Sequence, residues 1–220
     1  MKRLLEPELM IEPEQVNAYA NADFDEPHSN FIEMLKKYCG FIEEVGTVLD
    51  LGCGPGDITF KFAKAFPNAR IDTVDGSGEM LNFAKDILEG KPELYGRIKF
   101  VHSMIQDFSS TRQYDLIIGN SFLHHLPDPL VLWKKIKEIS SPETYIFVMD
   151  LLRPDTVEEA ERLRDMYVKD EPEILQRDFY NSLLAAFEVD EVREQLVKED
   201  LSNLDVLQVT DRHLIVFGNI

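Results

Sequence analysis

Short apolar runs alternate along this chain with stretches whose apolar residues recur every three to four positions. The two periods divide its middle into strands and helices. Val48, Leu49 and Leu51 form a run suited to a strand buried on both faces. From Asp57 the spacing of Ile58, Phe62 and Phe66, with Ala63 beside them, predicts an amphipathic helix that Pro67 and Asn68 stop. Arg70–Asp75 reads as a second strand. Ser77 is placed to cap a helix with Met80, Leu81, Ala84 and Leu88 inside, ended by Gly90 and Pro92. Ile98–His102 and Tyr114–Ile118 predict the third and fourth strands. Asp128 followed by Pro129 predicts a helix start, cap then first-turn proline, with Leu130, Trp133, Ile136 and Ile139 inside. Tyr145–Met149 predicts a fifth strand with Asp150 at its end.

Strand and helix alternation of this kind predicts an α/β fold, a mostly parallel sheet with helices on both faces. The two ends of the chain break the alternation. A short helix is expected near Pro13–Ala20, and Phe31, Leu35, Tyr38 and Ile42 mark the face of another, so residues 1–45 read as a helical arm. After a helix over Asp190–Glu199, Leu204–Val209 and His213–Phe217 read as two strands joined by Thr210, Asp211 and Arg212. The sheet is then seven-stranded with a C-terminal antiparallel hairpin, in one domain over residues 1–220. Residues 154–188 are an insert, first charged and helical in period, then apolar at Phe179, Tyr180, Leu183, Leu184 and Phe187. The insert leaves a carboxyl end of the sheet, where open sheets bind ligands, and is expected to act as a helical lid.

Composition narrows the partners. The net charge is −18, which repels phosphate backbones and anionic membranes, so neither nucleic acid nor a membrane is expected as partner. No apolar run approaches a membrane span, and Glu6 and Pro7 interrupt the start of any signal-peptide core. Two cysteines, Cys39 and Cys53, are too few for a disulfide framework, and a reduced, cytoplasmic setting is the simpler expectation. Monomer and homodimer both remain open.

The chemistry centres on Asp50-Leu51-Gly52-Cys53-Gly54-Pro55-Gly56-Asp57. Glycines at alternate positions allow a tight turn and let a ligand lie against the main chain. A dinucleotide fingerprint needs G-x-G-x-x-G, and this turn has G-x-G-x-G. It resembles instead the first motif of the Rossmann-like S-adenosylmethionine-dependent methyltransferases, and residues 46–150 follow that family's pattern. The resemblance implies S-adenosylmethionine as cofactor and S-adenosylhomocysteine as product. A nicotinamide-dependent oxidoreductase, or a non-catalytic protein of this fold, are the competing expectations.

The resemblance assigns residues as well. Gly52, Cys53, Gly54 and Gly56 would carry the cofactor's amino-acid tail, with Asp50 orienting the turn or the ammonium through water. Asp75, 23 residues after Gly52, would accept from both ribose hydroxyls, with Gly76 and Met80 beside it. Asp107 would accept from the adenine amino group, with Phe108 as apolar neighbour and Gln106 or Ile105 in the same slot. Asn120 and Ser121 would sit beside the methionine moiety. The stretch from Ser121 to Asp128 resembles that of the small-molecule branch, which implies O- or C-methylation of a small acceptor by in-line transfer. Candidate bases are His125, His28 and Tyr19. No metal is expected, because adjacent histidines on one helix do not face one site. Arg153, Arg212 and His213 open on the carboxyl side and suit an anionic group, or pairing with surface acids.

Overall fold

The computed structural model describes residues 1–10, 12–22, 25–40 and 45–220, with the side chains of 25 and 26 left aside. Ile42, expected on a helical face, lies outside the described residues, as do Asp23 and Phe24. Helices α1 (Pro13–Ala20) and α2 (Asp25–Tyr38) lead into β1 (Thr47–Leu51), α3 (Asp57–Ala65), β2 (Arg70–Asp75), α4 (Gly78–Glu89) and β3 (Ile98–His102). Then come β4 (Leu116–Asn120), α5 (Leu130–Ile139), β5 (Tyr145–Leu151), α6 (Val157–Tyr167), α7 (Glu173–Ala185), α8 (Val189–Lys198), β6 (Asp205–Gln208) and β7 (His213–Asn219). The strands form one sheet in the order β3-β2-β1-β4-β5-β7-β6. All neighbours are parallel except β7, which runs antiparallel between β5 and β6.

Alternation along the strands builds two cores. Leu49, Leu51 and Ile117 face a layer with Trp133, Ile136 and Leu196. Val48, Leu116 and Ile118 face another with Phe31, Leu35 and Phe62. Trp133 is wholly buried, and its indole N–H donates to Gln195 Oε1 at 2.8 Å, so the ring is buried without an unpaired donor. Ser77 caps α4 by accepting from the Met80 amide at 3.3 Å, as the sequence predicts.

Several strand boundaries differ from the expectation, two of them for a visible reason. β4 starts at Leu116 rather than Tyr114, because the two residues before it are turned to side-chain work. The Tyr114 hydroxyl donates to Asp72 at 2.9 Å, and Asp115 Oδ2 accepts from the amides of Gly46 and Thr47. β5 continues through Asp150 to Leu151, because β7 pairs with it as far as His213.

The insert packs in a cluster of its own. Leu151, Ala160, Leu163, Leu183, Leu184 and Ala186 make a third cluster, with Leu163 and Leu183 wholly buried. Residues 1–10 strap across it. The Leu4 amide donates to Leu184 O at 2.9 Å, and Arg3 donates to the carbonyls of Ala185, His124 and Leu126. Arg153 is 5% exposed and donates to Glu188 and Glu191 at 2.6 and 2.8 Å, while Arg212 stacks on Tyr167. Both arginines are therefore engaged within the protein. The amides of α7 are accordingly expected to exchange with solvent as slowly as those of β4 and β5 in hydrogen-exchange measurements. Fast exchange across α7 in the ligand-free protein would restore the lid.

Candidate functional site

The chain turns sharply where β1 ends, and a cavity opens above the carboxyl ends of β1, β2 and β4. Its floor is the Gly52–Gly54 turn. Gly52 and Gly54 adopt left-handed φ angles of 70° and 53°. The two glycines serve different needs. A Cβ at Gly52 would lie 2.5 Å from the Phe122 ring, so this glycine lets β1 pack under the segment after β4. A Cβ at Gly54 would meet nothing within 4 Å and would point into open space. That gap is a cradle for something lying on the backbone. Gly56 is not a wall of the cavity. It caps α3, with the Phe60 ring 2.8 Å from where its Cβ would be.

Asp75 closes the turn from β2. Its Oδ2 accepts from the Gly54 amide at 2.8 Å and its Oδ1 from the Ser77 amide at 2.7 Å. Each carboxylate oxygen keeps lone-pair capacity for a further donor. Burial pushes the Asp75 carboxyl up, while the two amides and His102 pull it back. Below the turn Asp50 is buried and accepts from the Thr59 hydroxyl at 2.5 Å. Burial pushes its carboxyl up to about 7 against that hydrogen bond, and Asp75 adds to the rise.

Asn120 and Ser121 close the cavity from β4, and Ser121 holds φ 51°, one of two described non-glycine residues in the left-handed region. Tyr19, His28 and His125, the three candidate bases, all line the same cavity. Burial pushes the Tyr19 hydroxyl up, so it is a donor. His125 is held down at about 3, first by burial and then by His124, so its imidazole is neutral.

On the adenine side the expected residues are spread apart. The pocket beside Asp75 and Gly76 is lined by Ser103, Met104 and Ile105. Gln106 and Asp107 are exposed on the outer side of a 3-10 turn, and Phe108 is buried in the core. The turn points only Ile105 inward, so of the four residues considered for that slot it alone lines the pocket. The insert of residues 154–188 contributes no described residue to the cavity walls. Glu8, Leu9 and Met10 do the covering instead. Ser77 Oγ donates to Met10 O at 2.9 Å, and a Cβ at Gly76 would lie 2.9 Å from Leu9 Cδ2. With these residues in place the cavity is about 100 Å3.

Two residues the sequence did not single out hold the edge of the site. Asp150, fully buried in β5, accepts from the amides of Phe122 and Leu123 at 2.9 and 2.6 Å. It also pairs with His124 Nδ1 at 2.5 Å. Burial pushes Asp150 up, but His124, the Leu151 amide and His125 outweigh it and leave it below the ordinary carboxylate range. The second is Glu6, whose Oε1 lies 3.4 Å from His124 Nε2 and 3.2 Å from His125 Nδ1. The two imidazoles stack with centroids 4.3 Å apart. The histidines do face one site, contrary to the expectation, because Leu123–His125 is a 3-10 turn rather than part of a helix. The signal for Asp150 was its place at the carboxyl end of an apolar run, and for Glu6 there was none.

Comparison with known proteins places these features in context. A family model described as a methyltransferase domain matches residues 42–197. A malonyl-[acyl-carrier protein] O-methyltransferase of Halalkalibacterium halodurans is 29% identical over 114 residues, 52% of this chain and 42% of that protein. A trans-aconitate 2-methyltransferase of Streptomyces avermitilis is 33% identical over 106 residues, 47% of this chain and 39% of that protein. The chain thus spans about two-fifths of the length of these curated relatives. A crystal structure of a plantazolicin methyltransferase with a desmethyl substrate analogue and S-adenosylhomocysteine superposes with a TM-score of 0.72 at 18% identity. The superposition covers 94% of this chain and 91% of that one. At that identity the likeness shows the fold, and the fold agrees strand for strand with the seven-stranded expectation.

Proposed function

The chain belongs to the methyltransferase domain family, and we propose that it transfers the methyl group of S-adenosylmethionine to a small-molecule acceptor. The observation that carries the proposal is the open cradle at Gly54, held between the Asp75 carboxylate and the end of β1. The cofactor, when bound, supplies a methyl group already activated on a sulfonium, so the chain's own task is to bind, orient and exclude water. Asp75 accepts from the ribose hydroxyls with its spare lone pairs. The Gly52–Gly54 turn bears the amino-acid tail, Asp50 faces its ammonium from below, and Met104 and Ile105 flank the adenine in place of Asp107 and Phe108. Asn120 and Ser121 border the methionine portion, and Met80 and Gly76 border the ribose.

The acceptor then enters from the side of Tyr19, His28 and His125. His28, also at the cavity wall, is the base for an acceptor that must lose a proton as it gains the methyl group, since His125, held down at about 3, is too weak a base. The proton passes from the acceptor to an imidazole nitrogen of His28. Relatives named for malonyl-acyl-carrier-protein and trans-aconitate methylation support oxygen of a small acid as acceptor. Small-molecule cavities usually occupy about 300 Å3 or more, so Glu8–Met10 shift aside as the nucleoside enters. The net charge of −18 supports an acceptor other than nucleic acid. No helix among the described residues is long and apolar enough to cross a membrane.

The test is direct binding. S-adenosylhomocysteine is expected to bind with a Kd in the micromolar range or below and NAD not to bind, as read by titration calorimetry. NAD binding without S-adenosylhomocysteine binding would overturn the reading. Binding without methyl transfer to any of a panel of carboxylic, phenolic and amine acceptors would leave a non-catalytic protein of the family.

Asp50 adds a pH dependence. Its carboxyl titrates near 7 in the folded protein, against the ordinary value of 3.8. A raised value means the folded state favours the protonated form. The stability this group contributes is complete below about pH 4 and is lost as pH rises through about 7. A ligand ammonium reverses the preference by favouring the carboxylate. Affinity for S-adenosylhomocysteine is therefore expected to climb as pH rises toward about 7, by up to about tenfold per unit at its steepest, and to level off above it. Asp50→Asn should flatten that climb. An unchanged slope in Asp50→Asn would assign the titration elsewhere.

A further inference from the structure

Glu6, His124 and His125 converge at one edge of the cavity, where the N-terminal strap crosses the Leu123–His125 turn. One atom of each, Glu6 Oε1, His124 Nε2 and His125 Nδ1, lies within 4.8 Å of the other two. Two of the three separations are 3.4 and 3.2 Å. Ligands bound to zinc at about 2.0–2.1 Å in a tetrahedron stand roughly 3.3 Å apart. We propose that these three side chains bind one divalent transition-metal ion of the zinc type, which clasps the N-terminal strap to the rim of the cavity.

Unpaired atoms support the site independently of the spacing. Glu6 Oε1 and His125 Nδ1 are buried and neither has a hydrogen-bond partner, although they lie 3.2 Å apart. Glu6 is 9% exposed at its side chain. Buried polar atoms without partners are rare, because each forfeits its hydration for nothing. A shared cation satisfies both at once.

The surroundings fit as well. Asp150 stands at His124 Nδ1, which turns the other ring nitrogen, Nε2, toward Glu6 and the cluster. A carboxylate behind the far nitrogen of a ligating histidine fixes its tautomer and raises its basicity. Two carboxylates, Glu6 and Asp150, stand in this buried region, and the Arg3 guanidinium beside them is already spent on the carbonyls of Ala185, His124 and Leu126. A dication offsets the two carboxylates. Two imidazoles and one carboxylate select zinc-like ions over magnesium or calcium, which prefer all-oxygen sites.

The inference goes beyond methyl transfer and does not depend on it. The full chain, stripped with a chelator, is titrated with Zn2+ against a chromophoric competitor and separately with Co2+. One equivalent of Zn2+ is expected, and the Co2+ complex should show the intense visible bands of a tetrahedral site without thiolate charge transfer. Loss of an outer partner of a ligand weakens metal binding roughly 10–100-fold, so Glu6→Gln and His125→Asn, which remove ligands, should exceed that range. The two variants are independent checks, each verified as folded by circular dichroism. Zn2+ should also slow exchange of the Leu4 amide and its neighbours through residue 10 in the wild type, but not in Glu6→Gln. Failure to take up one equivalent overturns the proposal. So does uptake unchanged in both variants, or a Co2+ spectrum with thiolate bands, which would place the ion at Cys39 or Cys53.

Discussion

Gly54→Val is expected to abolish S-adenosylhomocysteine binding while leaving the protein folded. The expectation rests on a contrast within one turn. The space in front of Gly54 is empty of protein out to 4 Å, so added methyl groups collide with nothing in the free protein. Stability pays only for a β-branched residue at φ 53°, about 1–2 kcal/mol, which in a chain of this size lowers Tm by several degrees. The ligand, by contrast, loses the surface on which its amino-acid tail lies. Gly52→Ala makes the opposite case. Its Cβ would enter the Phe122 ring, so stability should fall first and binding with it. Calorimetric titration of both variants, beside their thermal transitions, separates a ligand-facing glycine from a packing one. Affinity within about threefold of wild type in a folded Gly54→Val, a change of well under 1 kcal/mol, would make the turn purely structural.

The fold was legible because its strands and helices carry unmixed periods. Arg70–Asp75 and Ile98–His102 are strands over the predicted residues, and Ser77 is a cap because a serine before Met80, Leu81 and Ala84 has an orphan amide to satisfy. The glycine turn and Asp75 were legible for a related reason, since their chemistry depends on backbone shape and on position along the chain. What stayed hidden depends on long-range contact. Nothing local marks Glu6 as a neighbour of His124, 118 positions away, or Leu9 as the residue that closes the pocket beside Gly76. The insert is ambiguous for a related reason. Its apolar residues Leu183, Leu184 and Phe187 suit a pocket wall and a packed core equally, and in the structure Leu183 and Leu184 pack in the third cluster, with Leu4 strapped to Leu184. Gln106 and Asp107 stand exposed on a 3-10 turn, so their adenine role rests on the family pattern alone.

Asp75→Ala is expected to weaken S-adenosylhomocysteine binding by more than the ribose contacts alone would account for. Removing an acceptor from a charge-assisted hydrogen bond costs about 1.5–3 kcal/mol, or roughly tenfold to a hundredfold in affinity. The same carboxylate also holds the Gly54 and Ser77 amides, so its loss frees the turn that forms the floor. A simple fall in affinity therefore does not separate ribose binding from support of the turn. A double-mutant cycle does. The wild type and Asp75→Ala are each titrated with S-adenosylhomocysteine and with its 2′-deoxy analogue. If Asp75 accepts from the ribose, deleting the hydroxyl should weaken binding to the wild type and make little difference in the variant, a coupling of about 1 kcal/mol or more within the range for groups in contact. If Asp75 only props the turn, the hydroxyl contributes equally in both proteins and the coupling vanishes. The first outcome is favoured because each carboxylate oxygen carries one amide bond and keeps lone-pair capacity, and Asp75 lines the cavity.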